Sequence, residues 1–243
     1  MYLMIFMRDQ LLSYLPKGGV VAEIGVAEGY FSKTILETTL PSKLHLIDPW
    51  EHQERTDYAN DPNNVPDQEN EMRYRGVVDK FSREIAAGKM EVHRNYSSQV
   101  IDRFPDGYFD WIYVDALHTY EGVSADLNQF APKVKADGFI LGHDYTNCLA
   151  AQEMSFGVVE AVDDFVRQST HQFAALTHEA FPTYVLSRSD QAIQSLLSAV
   201  LLDEKSVVEI KDYPGRKFVH HLVLGNGVAL RYKDGTFMHV PSF

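Results

Sequence analysis

Val20-Val21-Ala22-Glu23-Ile24-Gly25-Val26-Ala27-Glu28-Gly29-Tyr30-Phe31-Ser32 runs from a buried-strand pattern through two glycines into a helical pattern. Gly25 and Gly29 let the chain turn tightly and let a ligand approach the backbone. The helix that follows presents free N–H groups to an anionic or carboxylate group. Nineteen residues past Gly29, Asp48 closes the run Leu46-Ile47-Asp48-Pro49-Trp50. A carboxylate at that place suits a ribose diol. The dinucleotide fingerprint G-x-G-x-x-G is not met, because Ala27 and Tyr30 stand at two of its positions. The expected ligand is therefore a nucleoside without a pyrophosphate. Glycines alone also serve tight strand–helix packing, and it is the acid on the second strand that favours a ligand site.

Outward from this stretch, short apolar runs alternate with helical spacing. Residues 19–24, 43–48, 90–94, 108–115 and 138–144 read as buried strands. Apolar residues share one face at 31, 35, 36 and 40, at 120, 123, 127 and 130, and at 158, 159, 162, 165 and 166. Near-continuous apolar strands alternating with such helices predict a doubly wound, mainly parallel α/β sheet covered on both faces. Ligands on such sheets sit at the carboxyl ends of the strands. Residues 51–71 break the alternation with a polar, acidic loop, and a helix is expected to follow it to about residue 87. We read 51–87 as a lid. Residues 1–18 are expected to form an N-terminal helix, amphipathic over 2–15, that covers the core or a dimer contact. Residues 19–203 form the main domain. Residues 204–243 read as an antiparallel β-meander, with strands at 207–211, 217–224, 228–233 and 236–240. A homodimer through these terminal segments is left open.

Composition narrows the function. The chain has 243 residues, a net charge of -12 and one cysteine, Cys148. A single cysteine excludes an intrachain disulfide framework and a Cys-rich zinc site, and it fits a reducing, cytoplasmic setting. No apolar run reaches the roughly 18 residues of a membrane helix, and the apolar start lacks the marks of a signal peptide. The acidic balance argues against a nucleic-acid partner. A small-molecule substrate is expected instead.

The motif Glu23-x-Gly25-x-x-x-Gly29 followed by Asp48 resembles the first two motifs of class I S-adenosylmethionine-dependent methyltransferases. Phe109-Asp110-Trp111-Ile112-Tyr113-Val114-Asp115 resembles that superfamily's fourth motif. The stretches 114–127 and 137–145 resemble its small-molecule O-methyltransferase branch, which includes macrolide-sugar enzymes and relatives described as cephalosporin hydroxylases. The resemblance covers roughly residues 15–190. It implies a seven-stranded Rossmann-like methyltransferase sheet, here with a C-terminal antiparallel β extension, and S-adenosylmethionine as cofactor. It implies that Glu23 and the loop Gly25, Val26, Ala27, Gly29 and Tyr30 hold the amino-acid end of the cofactor, with Ser32 assisting. It implies that Asp48 binds the ribose, that Pro49 and Trp50 border the adenosine, and that Asn95 and Ser97 lie near the adenine.

Asp115, His118, His143 and Asp144 form the second candidate site, at the ends of two strands expected to be neighbours. Carboxylates with an imidazole suit Mg²⁺ or another divalent cation, here through Asp115, His143 and Asp144. Metal-dependent O-methyltransferases of this superfamily place acids at matching positions, whereas this chain has His143 at the first of the two fifth-strand positions. A metal-free alternative makes His118 or His143 the general base. A third reading leaves Asp115 and the His118-Thr119 pair as turn and cap chemistry. His220 and His221 are read as structural, and Cys148 as a bystander. The reaction expected is methyl transfer to a hydroxyl oxygen. A metal-dependent enzyme of another class on the same scaffold, and a non-catalytic binding protein, are the alternatives.

Overall fold

The computed structural model describes residues 1–59, 61–211 and 213–214. In chain order the elements are β1 (Tyr2–Met4), α1 (Arg8–Leu11), β2 (Val20–Ile24), α2 (Tyr30–Thr39), β3 (Lys43–Asp48), α3 (Asp67–Lys80), α4 (Ser82–Ala86), β4 (Met90–Arg94) and α5 (Ser97–Val100). They continue with β5 (Phe109–Val114), α6 (Tyr120–Phe130), β6 (Val134–Gly142), α7 (Leu149–Glu153), α8 (Val158–Gln168), β7 (Gln172–Thr177), β8 (Tyr184–Ser187), α9 (Asp190–Leu202) and β9 (Val207–Glu209).

The strands form one sheet in the order β4-β3-β2-β5-β6-β8-β7-β1-β9. From β4 to β6 every pairing is parallel. β8 runs antiparallel to both β6 and β7. The first seven strands of this order are the expected seven-stranded sheet. β1 joins it parallel to β7, and β9 closes that edge antiparallel to β1, so the sheet has nine strands among the described residues.

Side-chain alternation divides the core between the two faces. Val21, Leu44, Trp111 and Leu141 pack with Ile35 of α2, Val77 of α3 and Leu196 of α9. Ala22, Ile47, Ile112 and Ile140 pack with Val100 of α5, Val123 of α6 and Val162 of α8. Burial on both faces is what gives these strands their near-continuous apolar runs.

The N-terminal segment corrects the expectation of one helix over 1–18. It makes strand β1, the single turn α1 and a 3-10 turn at Leu12–Tyr14. Its apolar residues suit either period, and pairing with β7 and β9 selects the strand at its start. In the 51–87 region the described residues are loop and turn up to residue 66, followed by α3 and α4, separated at Phe81. Of the expected meander, the first strand is β9, placed at the sheet edge. The strands expected from 217 onward, with His220 and His221, lie outside the described residues. Among the described residues no helix is long and apolar enough to cross a membrane.

Candidate active site

The β2–α2 loop is held in a left-handed backbone at three places: Gly25 at φ +87°, Ala27 at 46° and Gly29 at +69°. Gly25 is required sterically as well. A Cβ there would lie 1.8 Å from the Asp115 carbonyl oxygen, so β2 and the end of β5 touch through their backbones at this point. We expect Gly25→Ala to lower stability by about 2–4 kcal/mol, from overpacking plus the left-handed backbone. Chemical denaturation would show it as a lower midpoint, and an unchanged midpoint would contradict this contact.

The loop's polarity is organised by Asp48. Its Oδ2 accepts hydrogen bonds from the amides of Val26 at 2.9 Å and Ala27 at 3.0 Å, and its Oδ1 accepts from the Trp50 amide at 2.7 Å. Burial pushes this carboxyl up, and the three backbone donors oppose that. A carboxylate has about four acceptor directions, so one remains on Oδ1. Two loop amides expected to be free for a ligand are thus committed to Asp48. Trp50, buried, donates its indole N–H to the Ala27 carbonyl at 2.9 Å and ties the second strand end to the loop.

Glu23 is fully buried near the end of β2, and the Ser32 hydroxyl of α2 donates to it. Burial pushes the Glu23 carboxyl up to about 8, the Ser32 hydrogen bond pulls it down, and Asp115 and Asp48 push it further up. Ser32 therefore acts on the acid rather than on the cavity. The cavity itself has a volume of about 390 Å³. Glu23, Gly25, Val26, Ala27, Tyr30, Asp48, Pro49, Trp50, Ser97, Asp115 and His118 all reach its wall. Gly29, Asn95, His143 and Asp144 do not. The Asn95 side chain instead donates to Gln99 at 3.4 Å.

His118 is the hub of the second cluster. Its Nε2 lies 3.0 Å from Asp144 Oδ2 and 3.4 Å from Asp115 Oδ1, and its Nδ1 lies 3.1 Å from Asp61 Oδ2. Burial would push this imidazole down, but the three carboxylates hold it well above the usual histidine range. His143 Nδ1 lies 3.1 Å from Asp144 Oδ1 and 3.7 Å from Asp115 Oδ2, and it is also raised, against burial, by those two acids. Burial would raise Asp144, but His143 and His118 hold it well below the carboxylate range. Asp144 sits in the left-handed region at φ 61°. Thr119, next to His118, accepts from the Gly122 amide at 3.2 Å and caps α6, so the cap and the cluster use adjacent residues.

Asp115, His118 and Asp144 each offer a ligand atom within 4.8 Å of the others. That donor set suits a divalent cation. The imidazole in it is His118 rather than the expected His143, which stands behind, against Asp144 and Asp115.

Three residues of the site were not anticipated, Arg8 and Asp126 on the cavity wall and Asp61 in the cluster. Arg8 of α1 donates from Nη1 to the Tyr113 hydroxyl at 2.8 Å, lies 3.4 Å from Asp115 Oδ2, and sits 4.6 Å above the Phe31 ring. Asp61 reaches the cluster from the 51–66 loop. Asp126 of α6, which accepts from the Ser97 hydroxyl at 2.5 Å, is pushed up to about 6 by burial. The apolar pattern of 1–15 hid Arg8, and Asp61 is one acid among several in its loop. The spacing of α6 did hold a signal, since Asp126 falls beside Leu127 on the apolar face.

The fold and this cavity define a class I S-adenosylmethionine-dependent methyltransferase. A methyltransferase-domain family matches residues 22–145, just over half of the 243, and the chain belongs to that family. Among solved structures it is similar to a structural-genomics target from Corynebacterium glutamicum, at 12% identity and TM-score 0.51, with 74% of this chain and 80% of that one covered. It is also similar to the B. subtilis M1A22 tRNA methyltransferase TrmK, at 11% identity and TM-score 0.50, covering 77% and 68%. At these identities the likeness is one of fold. A search of curated sequences finds no match.

The residues present fit the cofactor. Glu23 is a buried acid at the cavity wall whose ionised form would gain from an ammonium. Arg8 offers a cation for a carboxylate, and Asp48 has one acceptor left for a ribose hydroxyl. The cofactor supplies an electrophilic methyl group on a positively charged sulfur.

Proposed function

We propose that this enzyme methylates a hydroxyl oxygen of a small-molecule acceptor, as in the small-molecule O-methyltransferase branch, with a divalent cation held by Asp115, His118 and Asp144. The observation that carries the reading is a single cavity lined by Glu23, Asp48, Asp115 and His118 together. Its volume falls in the usual range for small-ligand sites. Glu23 would hold the cofactor's ammonium, Arg8 its carboxylate, Asp48 a ribose hydroxyl, and Ser97 with Asp126 the adenine edge.

In the transfer, the acceptor oxygen forms its bond to the methyl carbon as the carbon–sulfur bond breaks. The bonding electron pair would stay with the cofactor's sulfur, and the acceptor hydroxyl, acidified by the cation, would have given its proton to solvent before the transfer. Alignment of oxygen, carbon and sulfur is the first demand on the site. Deprotonation is the second. A divalent cation at the cluster would lower the pKa of a hydroxyl bound to it. Charge favours this over the metal-free reading. Three carboxylates, Asp61, Asp115 and Asp144, surround one imidazole and hold positive charge there: without an ion His118 keeps its proton and is a poor general base, and a bound cation would displace the Nε2 proton to gain that nitrogen as a ligand. The 51–66 loop closes over the cluster through Asp61 and would exclude water.

The test is methyl transfer to a panel of catechols, sugars and other hydroxylated small molecules, with tRNA as the comparator. Chelator-treated protein is assayed with and without added Mg²⁺. Transfer to a small hydroxyl compound, stimulated by Mg²⁺, is the expected result. Transfer to tRNA alone would overturn the acceptor class, and equal rates with and without the ion would overturn the metal. The charge of -12 weighs against the nucleic acid.

A further inference from the structure

We propose that His45, Glu91 and His93 form a second metal site, for zinc or a similar borderline transition ion, that staples β3 to the edge strand β4. His45 pairs with Glu91 in the parallel register, and His93 follows Glu91 by two residues. All three side chains therefore rise from the same face of the sheet. His45 Nδ1 and His93 Nε2 are 3.0 Å apart. The Glu91 carboxylate lies 4.0 Å from the first through Oε2 and 3.8 Å from the second through Oε1. One atom from each of the three residues lies within 4.8 Å of the others. The two carboxylate contacts are to different oxygens, so a bound ion would draw one Glu91 oxygen inward until all three donor atoms lay about 2 Å from it, the bond length of zinc to imidazole nitrogen and carboxylate oxygen.

The surroundings are those of a ligand set. His45 Nε2 lies 3.1 Å from the Tyr108 hydroxyl. If the ring donates its proton there, Nδ1 turns its lone pair toward His93, the outer contact that metal-bound histidines usually have. Binding then needs only the His93 tautomer that carries its proton on Nδ1. Phe104, Tyr108 and Phe109 pack around the His45 ring and fix its plane. The two imidazoles are almost fully buried, while the Glu91 side chain is 49% exposed. An ion can thus enter from the sheet edge and keep a water as its fourth ligand. Lys43, 3.0 Å from Glu91 Oε2, holds the carboxylate as a counter-charge and would swing out on binding.

The inference does not rest on the methyl-transfer reading, and the experiment separates the two clusters. Full-length protein carrying Asp144→Asn, which weakens the other cluster, is stripped with chelator. It is then titrated with Zn²⁺, and with Co²⁺ as a spectroscopic probe. We expect one equivalent to bind, with the visible absorption of a four-coordinate cobalt site and a rise in Tm. Adding Glu91→Gln, at a half-exposed position that should not disturb folding, should weaken binding by at least about tenfold. Adding His93→Gln should abolish it. If Zn²⁺ affinity and Tm are the same with and without Glu91→Gln, the site is disproved.

Discussion

Asp144→Asn should lower kcat by about a thousandfold while leaving cofactor affinity within about threefold. Asp144 is absent from the cavity wall and touches the chemistry only through the cluster. Its two oxygens hold His118 at 3.0 Å and His143 at 3.1 Å. Asparagine keeps the size and also tolerates the left-handed backbone at φ 61°, so the fold should survive. On the proposed reading, what is lost is one negative charge at the cation site, and with it the activation of the hydroxyl. General acid–base or metal activation is worth about a hundredfold to ten-thousandfold in such reactions. The measurement is kcat under saturating cofactor and acceptor, alongside calorimetric titration with S-adenosylhomocysteine. A variant that keeps more than a tenth of the wild-type kcat would remove both the metal and the base from this cluster. A variant that loses cofactor binding instead would move Asp144 into the cofactor wall.

What could be read in advance divides along a physical line. Strands β2, β3, β5 and β6 are legible because each is buried on both faces, whereas β4, at the sheet edge with Glu91 half exposed, is legible only from its short strand-like run. β7 and β8 follow as part of the resemblance, but their short runs carried no signal of their own. The start of the chain departs from the expected helix because residues 1–7 are apolar without a decisive period. The strand there is chosen by β7 and β9, residues about 170 and 200 positions away in sequence. The same holds at the site. Glu23, Asp48, Asp115 and His118 stand at strand ends, where the topology alone concentrates chemistry. Arg8 and Asp61 reach that place from a terminal turn and a polar loop. Their partners, Tyr113 and His118, lie 105 and 57 residues away. Which histidine completes the donor set depends on the turn after β5 bringing His118 back over the strand end, and strand pattern does not encode that.

Glu23→Gln should weaken S-adenosylmethionine binding by about ten- to a hundredfold and abolish its pH dependence. The Glu23 carboxyl is buried, accepts from Ser32, and is pushed up to about 8. At pH 7 the free enzyme therefore carries it mostly protonated. An ammonium placed against it favours the ionised form, so cofactor binding expels a proton. By linkage, affinity should rise about tenfold between pH 6 and pH 7, and flatten as the pH passes the free-enzyme value near 8. The sign follows from the acid: raising the pH removes a proton that binding would otherwise have to displace. A charge-assisted hydrogen bond to the ammonium is worth about 1.5–3 kcal/mol, which sets the size of the loss in the glutamine variant. Titration calorimetry at pH 7 in two buffers of different ionisation enthalpy reads the proton directly. The wild type should give enthalpies that differ by close to one buffer proton, and Glu23→Gln should give enthalpies that agree. Equal enthalpies for the wild type would mean that Glu23 does not face the ammonium, and the cofactor's amino-acid end would then have to be anchored by Arg8 and Asp115 instead.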